Sequence, residues 1–184
     1  MSRELVVVTG MSGAGKTLAI HVFEDLNFYC IDNLPPELMP EAARLLTQDR
    51  ADVKGLALVV DARAGAMFDH LIETFDRMRE SPVDGFQRPK VLFLDASDEV
   101  LVQRFKETRR RHPLVTDTRG IMESIRYERE LLSPLKERAD KIIDTTKLEP
   151  LGLRKAIERY FSGQSPAESL VITVVSFGFK HGIP

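Results

Sequence analysis

Eight contiguous residues, Gly10-Met11-Ser12-Gly13-Ala14-Gly15-Lys16-Thr17, have the types and spacing to do chemistry on a phosphate. They fit the pattern G-x-x-x-x-G-K-S/T, in which glycines let the backbone curl until successive N–H groups converge on a phosphate at the positive end of a helix. In that reading Lys16 reaches the β- and γ-phosphates of a nucleoside triphosphate, and the Thr17 hydroxyl goes to Mg²⁺. The pattern also stands in the context it requires, after the apolar run Leu5-Val6-Val7-Val8-Thr9 and before the helical pattern Leu18 to Phe23. The alternative, a Gly-rich turn that merely links a strand to a helix, fits less well, because the full pattern seldom falls by accident between those two elements.

The chemistry also needs acids, and in an open parallel sheet they belong at the carboxyl ends of strands. Four apolar runs end that way, on Asp32, Asp61, Asp95 and Asp144. Asp61 fits the carboxylate that holds the Mg²⁺ shell opposite Thr17. Asp95 fits the same pattern, and the alternative for either is a capping or turn aspartate. Asp32 is placed to orient an attacking water or hydroxyl.

Arg104, Arg109, Arg110, Arg111 and His112 form a basic cluster where kinase-like phosphate-loop proteins place a mobile lid. A guanidinium, always protonated and bidentate, suits the charge that develops on oxygens in triphosphate hydrolysis. The alternative is a solvated helix face, but the run breaks at His112-Pro113 rather than continuing as a helix. No Asn-Lys-x-Asp guanine-reading sequence occurs, which argues against a Ras-like switch. The loop from Asp144 to Leu148 is the expected base-holding segment, through backbone contacts and with loose base choice.

Elements to position these residues follow from the alternation of short β-branched runs with helically spaced segments, which predicts a kinase-like parallel sheet of about five strands with helices on both faces. The strands are read at Leu5–Thr9, Phe28–Ile31, Leu56–Val60, Val91–Leu94 and Lys141–Ile143. The first long crossover holds a helix from Glu37 to Gln48, with Leu38, Ala42, Leu45 and Leu46 on its buried face. The next runs from Met67 to Arg79 on a stripe of Leu71, Ile72, Phe75 and Met78. Ser97 is the expected N-cap of a helix through Phe105. Pro134 predicts a kink or break in the helix from Ile121 to Arg138. A last helix, Pro150 to Phe161, is followed by a linker over 163–169 and a strand opening a second unit over 170–184, so the first unit is 1–162. That strand is apolar on both faces, and it is expected to pair with a partner protomer or to lie poorly ordered.

A net charge of −2 gives no global attraction to nucleic acid or anionic membrane, so any such binding needs a local patch. No apolar run approaches a membrane span, and the N-terminus goes straight into a strand without a signal-peptide pattern. A cytoplasmic location is the default expectation. The single Cys30 excludes an intramolecular disulfide and reads as a small buried hydrophobe rather than a nucleophile.

The phosphate loop, together with Glu24 to Pro35 (containing Asp32-Asn33-Leu34-Pro35), Thr108-Arg109-Arg110-Arg111-His112-Pro113-Leu114 and Ser176 to Pro184, resembles the RapZ/YvcJ family of bacterial nucleotide-binding proteins along the whole chain. The resemblance implies an N-terminal domain that hydrolyses ATP and GTP, with a second nucleotide-contacting segment at Asp61-Ala62-Arg63-Ala64. Family members continue into a C-terminal domain, which in the enterobacterial adapter binds an amino-sugar phosphate and small RNA. An RNA or protein partner would be engaged through that domain, and homo-oligomers are a further expectation. The residue reading alone leaves two other outcomes open, a small-molecule kinase and a nucleotide-sensing adapter without useful turnover.

Overall fold

Leu5 to Val8 have no polar alternation, as befits a strand covered on both faces, and all four are buried. The computed structural model describes residues 2–49, 52–60 and 68–161. In it this run lies in β1 (Glu4–Gly10), the central strand of a five-stranded parallel sheet. The others are β2 (Phe28–Asp32), β3 (Gly55–Val59), β4 (Lys90–Asp95) and β5 (Lys141–Asp144), in spatial order β2-β3-β1-β4-β5. Val8 is in register with Val59 of β3 on one side and Leu92 of β4 on the other. The outer strands β2 and β5 are more exposed than the three inside them, with one buried residue each, Phe28 and Ile143.

Helices α1 (Lys16–Asp25), α2 (Met39–Asp49), α3 (Phe68–Glu80), α4 (Asp98–Thr108), α5 (Ile121–Glu137) and α6 (Pro150–Phe161) make the crossovers. The fold is the α/β phosphate-loop architecture that the sequence predicts. The connection leaving β1 runs toward β2 and that leaving β4 runs toward β5, so a topological switch point falls between β1 and β4, where ligands bind in such sheets. The phosphate loop sits there.

Ser97 caps α4 as expected, its hydroxyl accepting the Val100 N–H. Leu71, Phe75 and Met78 form the buried stripe of α3. Two local expectations are adjusted. Leu46 is buried as expected, but Leu38 and Leu45 are about half exposed, and Met39 and Ala43 are buried in their place. The cause is a 3₁₀ turn over Pro36–Leu38, which winds tighter than an α-helix and shifts the phase of everything after it. Of the two outcomes expected at Pro134, the break does not occur: α5 runs on to Glu137. The proline forgoes the one N–H bond toward the carbonyl four residues earlier, and Arg138 donates to the Pro134 carbonyl. The linker and the strand expected over 170–184 lie outside the described residues.

Candidate functional site

The loop between β1 and α1 is shaped by three glycines with positive φ: Gly10 at 135°, Gly13 at 87° and Gly15 at 106°. At Gly10 the constraint is steric as well, because a Cβ would lie 2.0 Å from the Leu94 carbonyl oxygen of β4. Met11 N–H donates to that carbonyl, and Ala14 N–H donates back to Met11 O, closing the curl. The first intrahelical bond of α1 is Ala19 N–H to Gly15 O, so the Thr17 and Leu18 amides face the loop with no helical carbonyl to receive them. The Lys16 ammonium lies over the loop and donates to Gly10 O at 2.7 Å and Met11 O at 3.2 Å. The result is an anion cradle at a helix N-terminus with a cation at its rim.

Clefts open on either side of this loop. One, of about 440 Å³, is bounded by Ser12, Lys16, Thr17, Arg110, Arg111 and Pro113 among others. The other, of about 420 Å³, is bounded by Leu18, Thr145, Leu148 and Leu153. Gly13, Gly15 and Arg104 line both. Arg104 is not part of a lid: it donates to Gly13 O at 3.0 Å, to Thr145 Oγ1 at 3.1 Å and to Thr145 O at 2.7 Å. The Thr145 hydroxyl in turn reaches Ala14 O at 3.1 Å, so the phosphate loop and the loop after β5 share one frame.

The strand-end acids divide. Asp95 accepts from Arg129 and Lys136 of α5, both at 2.7 Å, and from the Ala96 amide at 2.8 Å. These contacts lock β4 to α5 through Asp95. Burial pushes its carboxyl up, but the Lys136 and Arg129 hydrogen bonds outweigh this and hold it below the usual carboxylate value. Asp144 receives the Thr146 hydroxyl and amide, which lower its pKa, and serves its own turn. Asp32 is exposed at the end of β2, level with Val59 and two strands from β1, or about 10 Å at ordinary strand spacing. Asp61, Ala62, Arg63 and Ala64 lie outside the described residues. Cys30 is half-buried, and burial, then Glu24, push its thiol up to about 12, which suits a packing residue and not a nucleophile.

Arg109 caps α4 in a left-handed conformation, and Arg109, Arg110 and Arg111 are all exposed. The next residue, His112, is buried, with its ring 4.9 Å from that of Phe105. Its Nε2 lies 3.2 Å from Glu128 Oε2, and its Nδ1 accepts the Leu114 N–H. Glu128, with no exposed surface, also accepts the Ser12 hydroxyl at 2.6 Å and the Ser12 amide at 3.0 Å. Sequence reasoning missed Glu128, yet a signal was there: it falls on the buried stripe Ile125, Glu128, Leu132, Leu135 of α5.

Among the described residues no helix is long and apolar enough to cross a membrane. A phosphate loop at the switch point of a five-stranded parallel sheet defines an α/β phosphate-loop NTPase fold. The same fold appears in the shikimate kinase of Acinetobacter baumannii in complex with shikimate, at a TM-score of 0.54 and 18% identity over 92% of this chain and 96% of that one. Residues 3–165 match the RapZ-like N-terminal domain, and the chain belongs to that family. It is 49% identical over 98% of its length to a nucleotide-binding protein of Caldicellulosiruptor saccharolyticus and 48% identical, over 98%, to the nucleotide-binding protein YvcJ of Bacillus subtilis. The chain spans 61% and 60% of those two relatives.

Proposed function

We propose that this chain binds ATP or GTP with Mg²⁺ in the cytoplasm and hydrolyses it slowly, its nucleotide state regulating an attached domain that engages an RNA or protein partner. The observation that carries the reading is the phosphate cradle, three positive-φ glycines and the α1 N-terminus with Lys16 at its rim. Relatives named as nucleotide-binding proteins support it. The triphosphate lies along the loop, and its base enters the cleft of Leu18, Leu148 and Leu153, where no side chain of a guanine-reading motif stands.

Lys16 swings from Gly10 O and Met11 O onto the β- and γ-phosphates. Mg²⁺ would arrive with the nucleotide. Thr17 and Asp61 would hold it, and the ion would supply positive charge against the triphosphate. Asp32 orients the attacking water, and the Arg109–Arg111 segment meets the charge on the leaving oxygens. A second reading, transfer to a small-molecule hydroxyl, draws on the exposed position of Asp32, which could accept a proton from an alcohol as readily as it orients water.

Product analysis with ATP and GTP separates the readings. Free phosphate released in buffer alone supports hydrolysis, whereas phosphate ester formed only with an added acceptor supports a kinase. Tight nucleotide binding with neither product leaves an adapter, and no binding at all overturns the site.

A further inference from the structure

A carboxylate buried without solvent is costly unless its lone pairs are filled, and placing one beside a loop built for anions adds repulsion to that cost. Glu128 is such a group. Its Oε1 takes the Ser12 hydroxyl at 2.6 Å, and its Oε2 takes the Ser12 amide at 3.0 Å and faces His112 Nε2 at 3.2 Å. Because the Leu114 N–H donates to Nδ1 at 3.2 Å, the ring proton sits on Nε2 and points at Glu128. One turn earlier on the same face of α5, the Ser124 hydroxyl lies 2.8 Å from Gly120 O and 3.2 Å from Leu114 O, between the two carbonyls. The Arg109–Arg111 segment therefore hangs between two fixed ends, the left-handed Arg109 that closes α4 and the anchored pair His112 and Leu114. The second end is tied through a single carboxylate to the third residue of the phosphate loop.

We infer that Glu128 is a positioning residue that registers Arg110 and Arg111 against the phosphate loop, setting the rate of phosphoryl chemistry without touching the nucleotide. Its kinetic consequence rests on the hydrolytic reading above; its mechanical consequence does not. Glu128→Gln keeps shape and volume but cannot satisfy both partners. With its oxygen on Ser12, the amide NH₂ meets the His112 Nε2–H, and moving that proton to Nδ1 sets it against the Leu114 N–H. One donor pair clashes either way.

The test uses the full chain carrying Glu128→Gln, the pair Arg110→Ala/Arg111→Ala, and all three together. Affinity for a fluorescent ATP analogue is expected to stay within about threefold of wild type in Glu128→Gln, while kcat falls about tenfold or more. On the arginine-free background Glu128→Gln should have almost no further effect on kcat, because the groups it positions are gone. Hydrogen exchange should lose protection at both ends of the tie, Ser12 and Leu114. Fully additive kcat effects, or unchanged protection at these two amides, overturn the inference. If wild type binds nucleotide without turning it over, the hydrolytic reading fails and the exchange result alone decides the coupling. Should Glu128→Gln not fold, Ser12→Ala, which removes only the 2.6 Å hydroxyl bond, is held to the same non-additivity with the arginine pair.

Discussion

Replacing Asp95 by Asn removes one charge and leaves the side chain's shape. The Asp95 side chain is 12% exposed and carries two cationic partners at 2.7 Å. Breaking a fully buried pair costs about 3–5 kcal/mol through the charge left stranded. Here the stranding is partial: Arg129 keeps Asp98 at 2.7 Å and Ala96 O at 2.8 Å, and Lys136, 39% exposed, turns to water. The expected loss is thus about 2 kcal/mol, which for a domain of this size lowers Tm by about 4–8 °C. The pH dependence follows from the lowered pKa of Asp95. Its stabilisation is complete above the unfolded carboxylate value of about 3.9 and fades as pH falls through the lower folded value. Melts followed by circular dichroism should show a constant gap between wild type and variant from neutral pH down to about 5, closing in the acid range below 4. Nucleotide turnover measured against Mg²⁺ concentration should keep the same midpoint. A variant with wild-type Tm but a strongly raised Mg²⁺ requirement would show that Asp95, and not Asp61, serves the metal.

Lys16→Ala should leave Tm nearly unchanged and abolish triphosphate affinity, costing about 2–4 kcal/mol of transition-state stabilisation; hydrolysis at the wild-type rate would remove the site assignment. Gly10→Ala drives a methyl to 2.0 Å from Leu94 O on a backbone with φ of 135°, so a loss of more than about 4 kcal/mol is expected, seen as failure to fold or a collapsed melting curve. An ordinary melt for that variant would contradict the close approach of β1 and β4. Cys30, with its thiol near 12 against an ordinary 9.0, carries about a thousandfold less thiolate at pH 8 than a free thiol. Alkylation should therefore need unfolding, and rapid labelling of the native protein would disprove its shielding.

The phosphate loop was legible because its pattern residues are contiguous, with glycines where the curl needs positive φ and Lys16 and Thr17 at the helix start. The strands were legible because Leu5–Val8 and Val91–Leu94 are unbroken apolar runs. Strand order was not, since pairing is non-local and nothing in Phe28–Ile31 says that β3 will come between it and β1. The structural role of Asp95 was equally hidden: its partners stand 34 and 41 positions away, and no spacing rule links them. Glu128 was obscured differently. Among the Glu and Arg residues of α5 it looks like one more solvated charge, and only its phase with Ile125 and Leu132 sets it apart. The buried face of α2 was misjudged because one 3₁₀ turn rotates a helical wheel without leaving a clear mark in composition.

Helix α6 spans the height of the sheet. Its first turn packs on the phosphate loop, with Leu153 Cδ2 3.0 Å from where a Cβ on Gly15 would stand. At its far end the Phe161 ring meets Phe23 at 5.0 Å, and the Phe161 carbonyl accepts from Lys54, which also pairs with Glu4 at the start of β1. Residue 161 is therefore fastened at the opposite rim of the sheet, about 20 Å from the cradle if strand rise is counted along β1. A shift of the cradle therefore has a solid shaft to that far rim, a single twelve-residue helix with one end against Gly15.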